Sequence, residues 1–165
     1  MNGSAWNFAG AVVLVIVLGL TEHAAGAGPL DAPGATKALT CTACHGPGGQ
    51  SPSNTMPILA GMWPVYFKKA IADYAAGKRP STEMEPYAKM VVQMGVDEVA
   101  AYFAGQPRAA TTVAVDPAAV QRGSAAAQEC LQCHKPGGTT IGPAVIPDLR
   151  GQPAGYLLNQ MRLFK

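Results

Sequence analysis

The sequence predicts an all-α fold made of two tandem copies of one small helical domain. Three observations in the 165 residues lead to this prediction. Segments in which apolar residues recur at helical spacing alternate with loops rich in Gly and Pro. The pattern Cys-x-x-Cys-His occurs twice, and residues that follow it also recur. Recurrence of one pattern at a fixed distance is typical of a duplicated domain.

The repeat is visible when the chain is aligned with itself. Leu59–Gly61 and Tyr66 match Leu149–Gly151 and Tyr156 at an offset of 90 residues. The two cysteine motifs are 89 residues apart, so one residue is inserted between motif and loop in the second copy. We therefore expect one domain type to be used twice.

The first copy divides into three predicted helices and two connecting stretches. Ala35–Cys44 is predicted as a short helix that ends at the first motif, and residues 46–57 as a loop. Pro64–Ala76 has apolar and aromatic residues at helical spacing and is followed by Gly. Residues 79–95 are predicted as an irregular, Met-rich stretch. Val96–Ala104, which opens with two acidic residues, is predicted as the final helix.

The second copy is shorter than the first. It is predicted to open with a helix over Ala118–Cys133, followed by a loop and a helix that begins at Ala154. Compared with the first copy it lacks about 31 residues, and Lys165 falls inside an amphipathic helix. We therefore expect the second domain to be incomplete and the sequence to be truncated. The predicted domains are residues 28–106 and 118–165, joined by a linker over residues 107–117.

The N-terminal segment predicts export. Phe8–Leu20 is an apolar run of 13 residues, whereas a membrane-spanning helix needs about 20. The small residues Ala25–Ala27 are typical of a cleavage site. We predict that residues 1–27 are a signal peptide and that the protein is periplasmic. Because residues 1–7 contain no Lys or Arg, an uncleaved membrane anchor is the alternative, and membrane contact is expected only in that case.

The arrangement of the four cysteines indicates which cofactor the chain binds. Two thiols separated by two residues at the end of a helix can form thioethers with the two vinyl groups of one haem, and the adjacent His can bind the iron. Disulfides, thioredoxin-like redox pairs and a zinc site are alternatives, but none of them requires His directly after both pairs. The sequence therefore predicts two covalently bound haem c groups, attached through Cys41, Cys44, Cys130 and Cys133, with His45 and His134 as iron ligands.

A Met thioether is a common second axial ligand in electron-transfer haems. Met84 is the predicted ligand of the first haem because it follows the middle helix and precedes Glu85-Pro86, where the chain could cross the haem opposite His45. Met90 is the second choice, since it could lie on a short helix in the core. The counterpart of Met84 would fall beyond the end of the chain, and Met161 is predicted as a core residue. The sixth ligand of the second haem is therefore left open.

These residues resemble dihaem class I c-type cytochromes of the cytochrome c4 type, and also the cytochrome subunit of flavocytochrome c sulfide dehydrogenase. The resemblance implies tandem class I cytochrome c-like domains in which the backbone carbonyl of Pro57, and of its nearest match Pro147, orients the iron-binding His. It also implies Met84 as the axial ligand. The chain departs from the family at Met62-Trp63, where the second copy has the family-like Gln152-Pro153. The matching residues are Cys41–Gly46, Pro57–Gly61, Tyr66, Gly77–Arg79, Met84 and Val99–Phe103.

The predicted function is that of a periplasmic dihaem electron carrier, not an enzyme, which exchanges electrons with redox partner proteins by Fe(III)/Fe(II) cycling. One alternative is the electron-accepting subunit of a dehydrogenase, with a flavoprotein or another catalytic chain as partner. A dihaem peroxidase, which needs an open position on one iron, is a third interpretation. A net charge of +2 without basic runs argues against binding to nucleic acid.

Overall fold

The computed structural model describes residues 30–109 and 113–165. The predicted signal peptide lies outside the described residues, as do residues 110–112 of the predicted linker. No helix in the described part is both long and apolar enough to cross a membrane. The described elements are α1 (Ala35–His45), a 3₁₀ turn (Pro47–Gly49), α2 (Pro64–Ala75), α3 (Met84–Met94), α4 (Val96–Gly105), α5 (Pro117–Leu131), β1 (Thr139–Ile141), β2 (Ala144–Ile146) and α6 (Ala154–Leu163).

Five of these helices lie where the sequence predicts them, to within two residues. Pro64 and Pro117 occupy the first positions of α2 and α5, where the missing N–H has no helical partner and the fixed φ suits the helix. Asp116 caps α5 because its carboxylate accepts from the Ala118 N–H at 2.9 Å. Local sequence signals therefore determine where these helices begin.

The prediction of an irregular stretch over residues 79–95 is wrong, because α3 occupies most of it. Pro86 lies in the first turn of α3, where proline is tolerated. The Ser81 hydroxyl accepts from the Met84 N–H at 3.1 Å. Ala88 and Val91 lie on the same face of the helix and are buried. Met84 is therefore the first residue of a helix rather than part of an irregular stretch.

The second copy contains a short hairpin where the sequence predicts only a loop. β1 and β2 pair antiparallel, with Thr139 opposite Ile146 and Ile141 opposite Ala144. The strands are rich in β-branched residues, which favour extended backbone, and Gly142 between them has φ of 57°. The fold is mainly helical, as predicted, and the hairpin replaces part of the loop that the sequence predicts in the second copy.

The main hydrophobic core lies in the first copy, between α1, α2, α3 and α4. Phe103 of α4 is fully buried, and its ring centroid lies 5.8 Å from that of Phe67 in α2. Aromatic pairs at this separation add to the stability that burial provides. By contrast, α5 and α6 have no side chains in the buried class. The first copy is thus the better packed of the two within the described residues. Its buried cluster consists of Ala38, Leu59, Met62, Phe67, Ile71, Ala88, Val91, Val99, Ala100 and Phe103.

Hydrogen bonds to backbone atoms join the two copies. The Ile58 N–H donates to Gln152 Oε1 at 2.9 Å, and Gln152 Nε2 donates to the Ile58 carbonyl at 2.8 Å. Asn54 accepts from the backbone N–H groups of Gly155 and Tyr156 at 3.0 and 2.8 Å, through its side chain and its carbonyl respectively. The loop before α2 is therefore bound to the start of α6. The repeat places Met62 where the second copy has Gln152, so the first copy does not return these bonds.

Candidate haem sites

The first site forms at the C-terminal end of α1. His45 Nδ1 lies 2.8 Å from the carbonyl oxygen of Pro57, and since a carbonyl can only accept, the ring nitrogen donates. This bond leaves His45 Nε2 as the nitrogen with the free lone pair. Nε2 is buried and has no hydrogen-bond partner in the described structure. A buried polar atom without a partner is uncommon and points to a bound group.

His45 lines a cavity of about 480 Å³ together with both cysteines of the first motif and Met84. Much of the remaining wall is apolar and includes Leu59, Phe67, Ile71 and Val91. Two thiols, an imidazole nitrogen without a partner and a thioether are thus gathered around an apolar cavity. This set of donors is that of a covalently attached haem with His and Met ligands.

The structure distinguishes among the methionines. Met84 lines the cavity with His45, as do Met56 and Met62, whereas Met90 and Met94 are not part of the described wall. The position of Met84 at the start of α3 brings it to the cavity, although the predicted local structure there is wrong. Met84 as the sixth ligand remains a prediction, with its place in the cavity wall in its favour.

The pKa values of the first site agree with an iron-binding imidazole and with an unreactive Cys41 thiol. Burial lowers the pKa of His45, against a smaller opposing effect of the Pro57 hydrogen bond, so the imidazole is neutral and able to bind metal near neutral pH. Burial raises the pKa of Cys41 to about 11. A thiol of this kind is a poor thiolate, which argues against the thioredoxin-like alternative.

The second site repeats the relation between histidine and proline. His134 Nδ1 lies 2.8 Å from the carbonyl oxygen of Pro147, the same distance as in the first copy. Cys130 and Cys133 lie at and just after the end of α5 and are exposed. His134 and Pro147 line a second cavity of about 460 Å³, to which both copies contribute residues.

Met161 lies in the wall of this second cavity and is 62% exposed. Its prediction as a core residue is therefore wrong. The prediction rested on its match to Ile71, which is buried in the first copy. Within the described residues, α6 is not packed against other helices as α2, which carries Ile71, is packed against α3 and α4.

The described residues do not support the disulfide and zinc alternatives. None of the four cysteines forms a disulfide with another cysteine in the described residues. Within residues 30–109 and 113–165, no three side chains of His, Cys, Asp or Glu are grouped to hold a metal ion. Each cysteine pair is instead accompanied by its own His–Pro pair, which fits one haem in each copy.

The two cavities have side chains in common, which sequence reasoning did not identify as a group. Tyr66 and Tyr156 occupy matching positions in the repeat, and Arg79 donates hydrogen bonds to both of their hydroxyl groups. The equivalence of the two tyrosines was the available sequence signal, but Arg79 lies far from Tyr156 in the chain. We call the side chains that line both cavities the shared wall; they are Met62, Tyr66, Ala70, Arg79, Tyr156 and Gln160.

Comparison with known proteins identifies relatives along most of the chain. The cytochrome c4 of Pseudomonas aeruginosa is 37% identical over an alignment of 163 residues, which covers 93% of this chain and 80% of the relative. The cytochrome c4 of Azotobacter vinelandii is 34% identical, with the same coverage. A thiosulfate dehydrogenase electron acceptor of Stutzerimonas stutzeri is 29% identical over the whole of this chain and 81% of its own length. No protein-family model matches the chain.

Solved structures also include cytochrome c4 among the proteins that resemble this chain. Reduced cytochrome c4 from Pseudomonas stutzeri has a TM-score of 0.60 and 31% identity, and the match covers 78% of this chain and 76% of that one. The thiosulfate dehydrogenase of Marichromatium purpuratum also has a TM-score of 0.60, with 30% identity, over 74% of this chain and 28% of that one. The mainly helical fold and the resemblance predicted from the motifs are thus confirmed. The chain belongs to the cytochrome c4 family, and it is an electron-transfer cytochrome with two covalently bound haem groups.

Proposed function

We propose that this cytochrome is a periplasmic electron carrier in which His45 and Met84 bind the first haem iron and His134 binds the second. The observation that carries the proposal is the buried His45 Nε2, which has no hydrogen-bond partner and belongs to a residue lining the same cavity as Cys41 and Met84. The bound haem would supply the one-electron ferric–ferrous couple.

The residues of the chain would bind the haem and set its reduction potential. The thiols of Cys41 and Cys44 would form the thioether bonds to the haem, and the Pro57 carbonyl fixes the imidazole ring of His45. The thioether of Met84 favours the ferrous state, and the apolar cavity wall excludes water from the site. In the second copy, Cys130 and Cys133 would form the thioethers, and the Pro147 carbonyl orients His134.

Haem attachment and export can be tested together. The full chain, expressed in a host that matures c-type cytochromes, should reach the periplasm with two haems per chain and a mature N-terminus at Gly28. A Cys41→Ala/Cys44→Ala variant should keep one covalent haem, because the second motif is intact. Haem that is removed from the wild type by acid extraction would contradict thioether attachment, and a cytoplasmic chain would contradict the location.

The role of Met84 needs its own experiment. Met84→Leu should abolish the weak red absorption band of ferric His/Met haem for one of the two haems and lower the potential of that haem. Met90→Leu is the matched control, because Met90 is half-buried in the same helix but is not part of the described cavity wall. If Met90→Leu removes the band and Met84→Leu does not, the assignment is wrong.

A second proposal is that the carrier accepts electrons from a sulfur-oxidising dehydrogenase. Two comparisons support it, since one relative is named a thiosulfate dehydrogenase electron acceptor and one structural neighbour is a thiosulfate dehydrogenase. A cytochrome subunit of sulfide dehydrogenase from Chlorobaculum tepidum is also 37% identical, over 39% of this chain and 58% of its own length.

Kinetics can distinguish this partner from others. The oxidised cytochrome should be reduced rapidly when it is mixed with a thiosulfate or sulfide dehydrogenase from the same cell together with its substrate. Substrate without the dehydrogenase is the control. Failure of every such dehydrogenase to reduce it, combined with rapid oxidation of the reduced form by a terminal oxidase, would favour a general carrier.

A further inference from the structure

Arg79 is a buried cation whose Nε–H has no hydrogen-bond partner in the described structure. Arg79 follows the end of α2 in the chain and is only 8% exposed. Nη1 donates to the Tyr66 hydroxyl at 3.1 Å, and Nη2 donates to the Tyr156 hydroxyl at 3.0 Å and also to Gln160. Nε is buried and has no hydrogen-bond partner in the described structure. The guanidinium group is thus held in place by its two Nη atoms, while its Nε–H remains free.

The charge of Arg79 is not balanced by the residues around it. None of the ion pairs in the described part of the chain includes Arg79. Its guanidinium carbon lies 4.6 Å from the centroid of the Tyr74 ring and 5.4 Å from that of Phe164. Burial raises the pKa of Tyr74 to about 12 and also raises that of Tyr156, so these phenols stay neutral near neutral pH. A buried cation without an anion is unfavourable.

The position of Arg79 indicates which anion it meets. Arg79 belongs to the shared wall and therefore lines both the cavity of His45 and the cavity of His134. Each haem carries two propionate carboxylates, and the planar guanidinium group is well suited to bind carboxylates. We propose that Arg79 binds a haem propionate through its free Nε–H and that its positive charge raises the reduction potentials of both haems. This inference rests on the proposed function, because it requires a haem in each cavity.

The direction of the effect follows from electrostatics. Oxidation adds one positive charge to the iron centre, so a nearby cation destabilises the ferric form relative to the ferrous form. Loss of the Arg79 charge should therefore lower both potentials. A residue that only joins the two copies would affect stability and leave the potentials unchanged.

The test uses the haem-loaded full chain with three variants. Arg79→Gln removes the charge, and Arg79→Lys keeps it. Arg108→Gln is the matched control, because Arg108 also lies between the copies but is paired with Asp148, donates to the Ala60 and Arg150 carbonyls, and lines only the second cavity. Both potentials are measured by spectroelectrochemistry, and contacts to the propionates are followed by their bending bands in resonance Raman spectra.

We expect Arg79→Gln to lower both potentials by an amount equivalent to about a tenfold change in the ferric-to-ferrous ratio, which is 59 mV for a one-electron couple. Arg79→Lys should lower them by less than half as much, and Arg108→Gln should affect the second haem at most. The propionate band should shift in both Arg79 variants.

Three outcomes would overturn the inference while leaving the proposed function intact. The first is unchanged potentials in Arg79→Gln with two haems bound, and the second is an equal fall in Arg79→Lys. If Arg79→Gln fails to fold, the third outcome decides: an Arg79→Lys variant with a wild-type propionate band shows that Arg79 does not touch a propionate. Fewer than two covalent haems in the wild type would instead refute the proposed function itself.

Discussion

The contact between the two copies gives a prediction whose size can be worked out from the structure. Gln152 reaches across the boundary and forms a donor–acceptor pair with the backbone of Ile58, at 2.9 and 2.8 Å. The Gln152→Met change installs in the second copy the residue that the first copy has at the matching position, Met62. It keeps a long, unbranched side chain and removes both hydrogen bonds.

The expected cost has two parts. Each hydrogen bond contributes about 0.5–1.5 kcal/mol net, so the pair contributes about 1–3 kcal/mol. Ile58 is fully buried, and its N–H and C=O would be left without partners, which places the cost in the upper half of that range. We therefore expect Gln152→Met to lower the free energy of unfolding by about 2–3 kcal/mol.

Chemical unfolding of the haem-loaded protein measures this cost. The unfolding of both copies is followed by haem absorbance and far-ultraviolet circular dichroism, and the midpoint should fall while two haems stay attached. Gln128→Met is the matched control because Gln128 is exposed on α5, and its effect should stay within about 0.5 kcal/mol.

A Gln152→Met protein as stable as the Gln128→Met control would refute the reasoning. It would mean that solvent or a neighbouring residue satisfies the Ile58 backbone and that the glutamine bridge contributes nothing to the pairing of the copies.

Three further predictions concern single residues, and each has its own measurement. Gly49→Ala should destabilise the protein by more than about 1 kcal/mol in thermal unfolding, because φ is +78° and a Cβ would lie 2.8 Å from Leu59 and Phe103. Gly77→Ala is the control, because Gly77 has a similar φ of +68° but open space around it, so the difference between the two variants measures the steric clash. Ser81→Ala should cost about 1 kcal/mol and weaken the red absorption band, because the Ser81 hydroxyl accepts from the N–H of the proposed ligand Met84. An unchanged band would show that this hydrogen bond does not position the ligand. Burial acts to raise the pKa of Asp148, but hydrogen bonds from Arg150 and Gly137 together hold this pKa at about 2, below its ordinary 3.8. The ionised Asp148 therefore stabilises the folded protein fully above about pH 4, and this stabilisation is lost as the pH falls through 2. Asp148→Asn should lose this pH dependence in acid unfolding.

The features that sequence predicted well are those encoded within a few residues. The end of α1 at the first motif and the start of α2 at Pro64 follow from local signals that no distant contact overrides. The two histidine–proline contacts also agree with expectation, although the resemblance to a family supplied them rather than residue spacing. Their equal distances of 2.8 Å reflect the duplication that the repeat revealed.

The features that sequence missed depend on context. Pro86 suggested a break, but its place in the first turn of α3 removes the conflict with the helix. Met161 matches a buried residue of the first copy and is nevertheless exposed, because burial depends on neighbouring helices rather than on residue type. Arg79 was recognised only as part of a motif, since its contacts with Tyr156 and Gln160 cross about half of the chain.

The unequal residues at the boundary also determine which domains can pair. If two first copies from different molecules met in the same way, Met62 would face Ile58, and a thioether cannot replace the donor and acceptor of the Gln152 amide. The buried backbone groups of Ile58 would then stay unsatisfied on both sides. The glutamine would thus favour a second copy over another first copy as the neighbour of a first, and Met62 would disfavour self-association through the first copy.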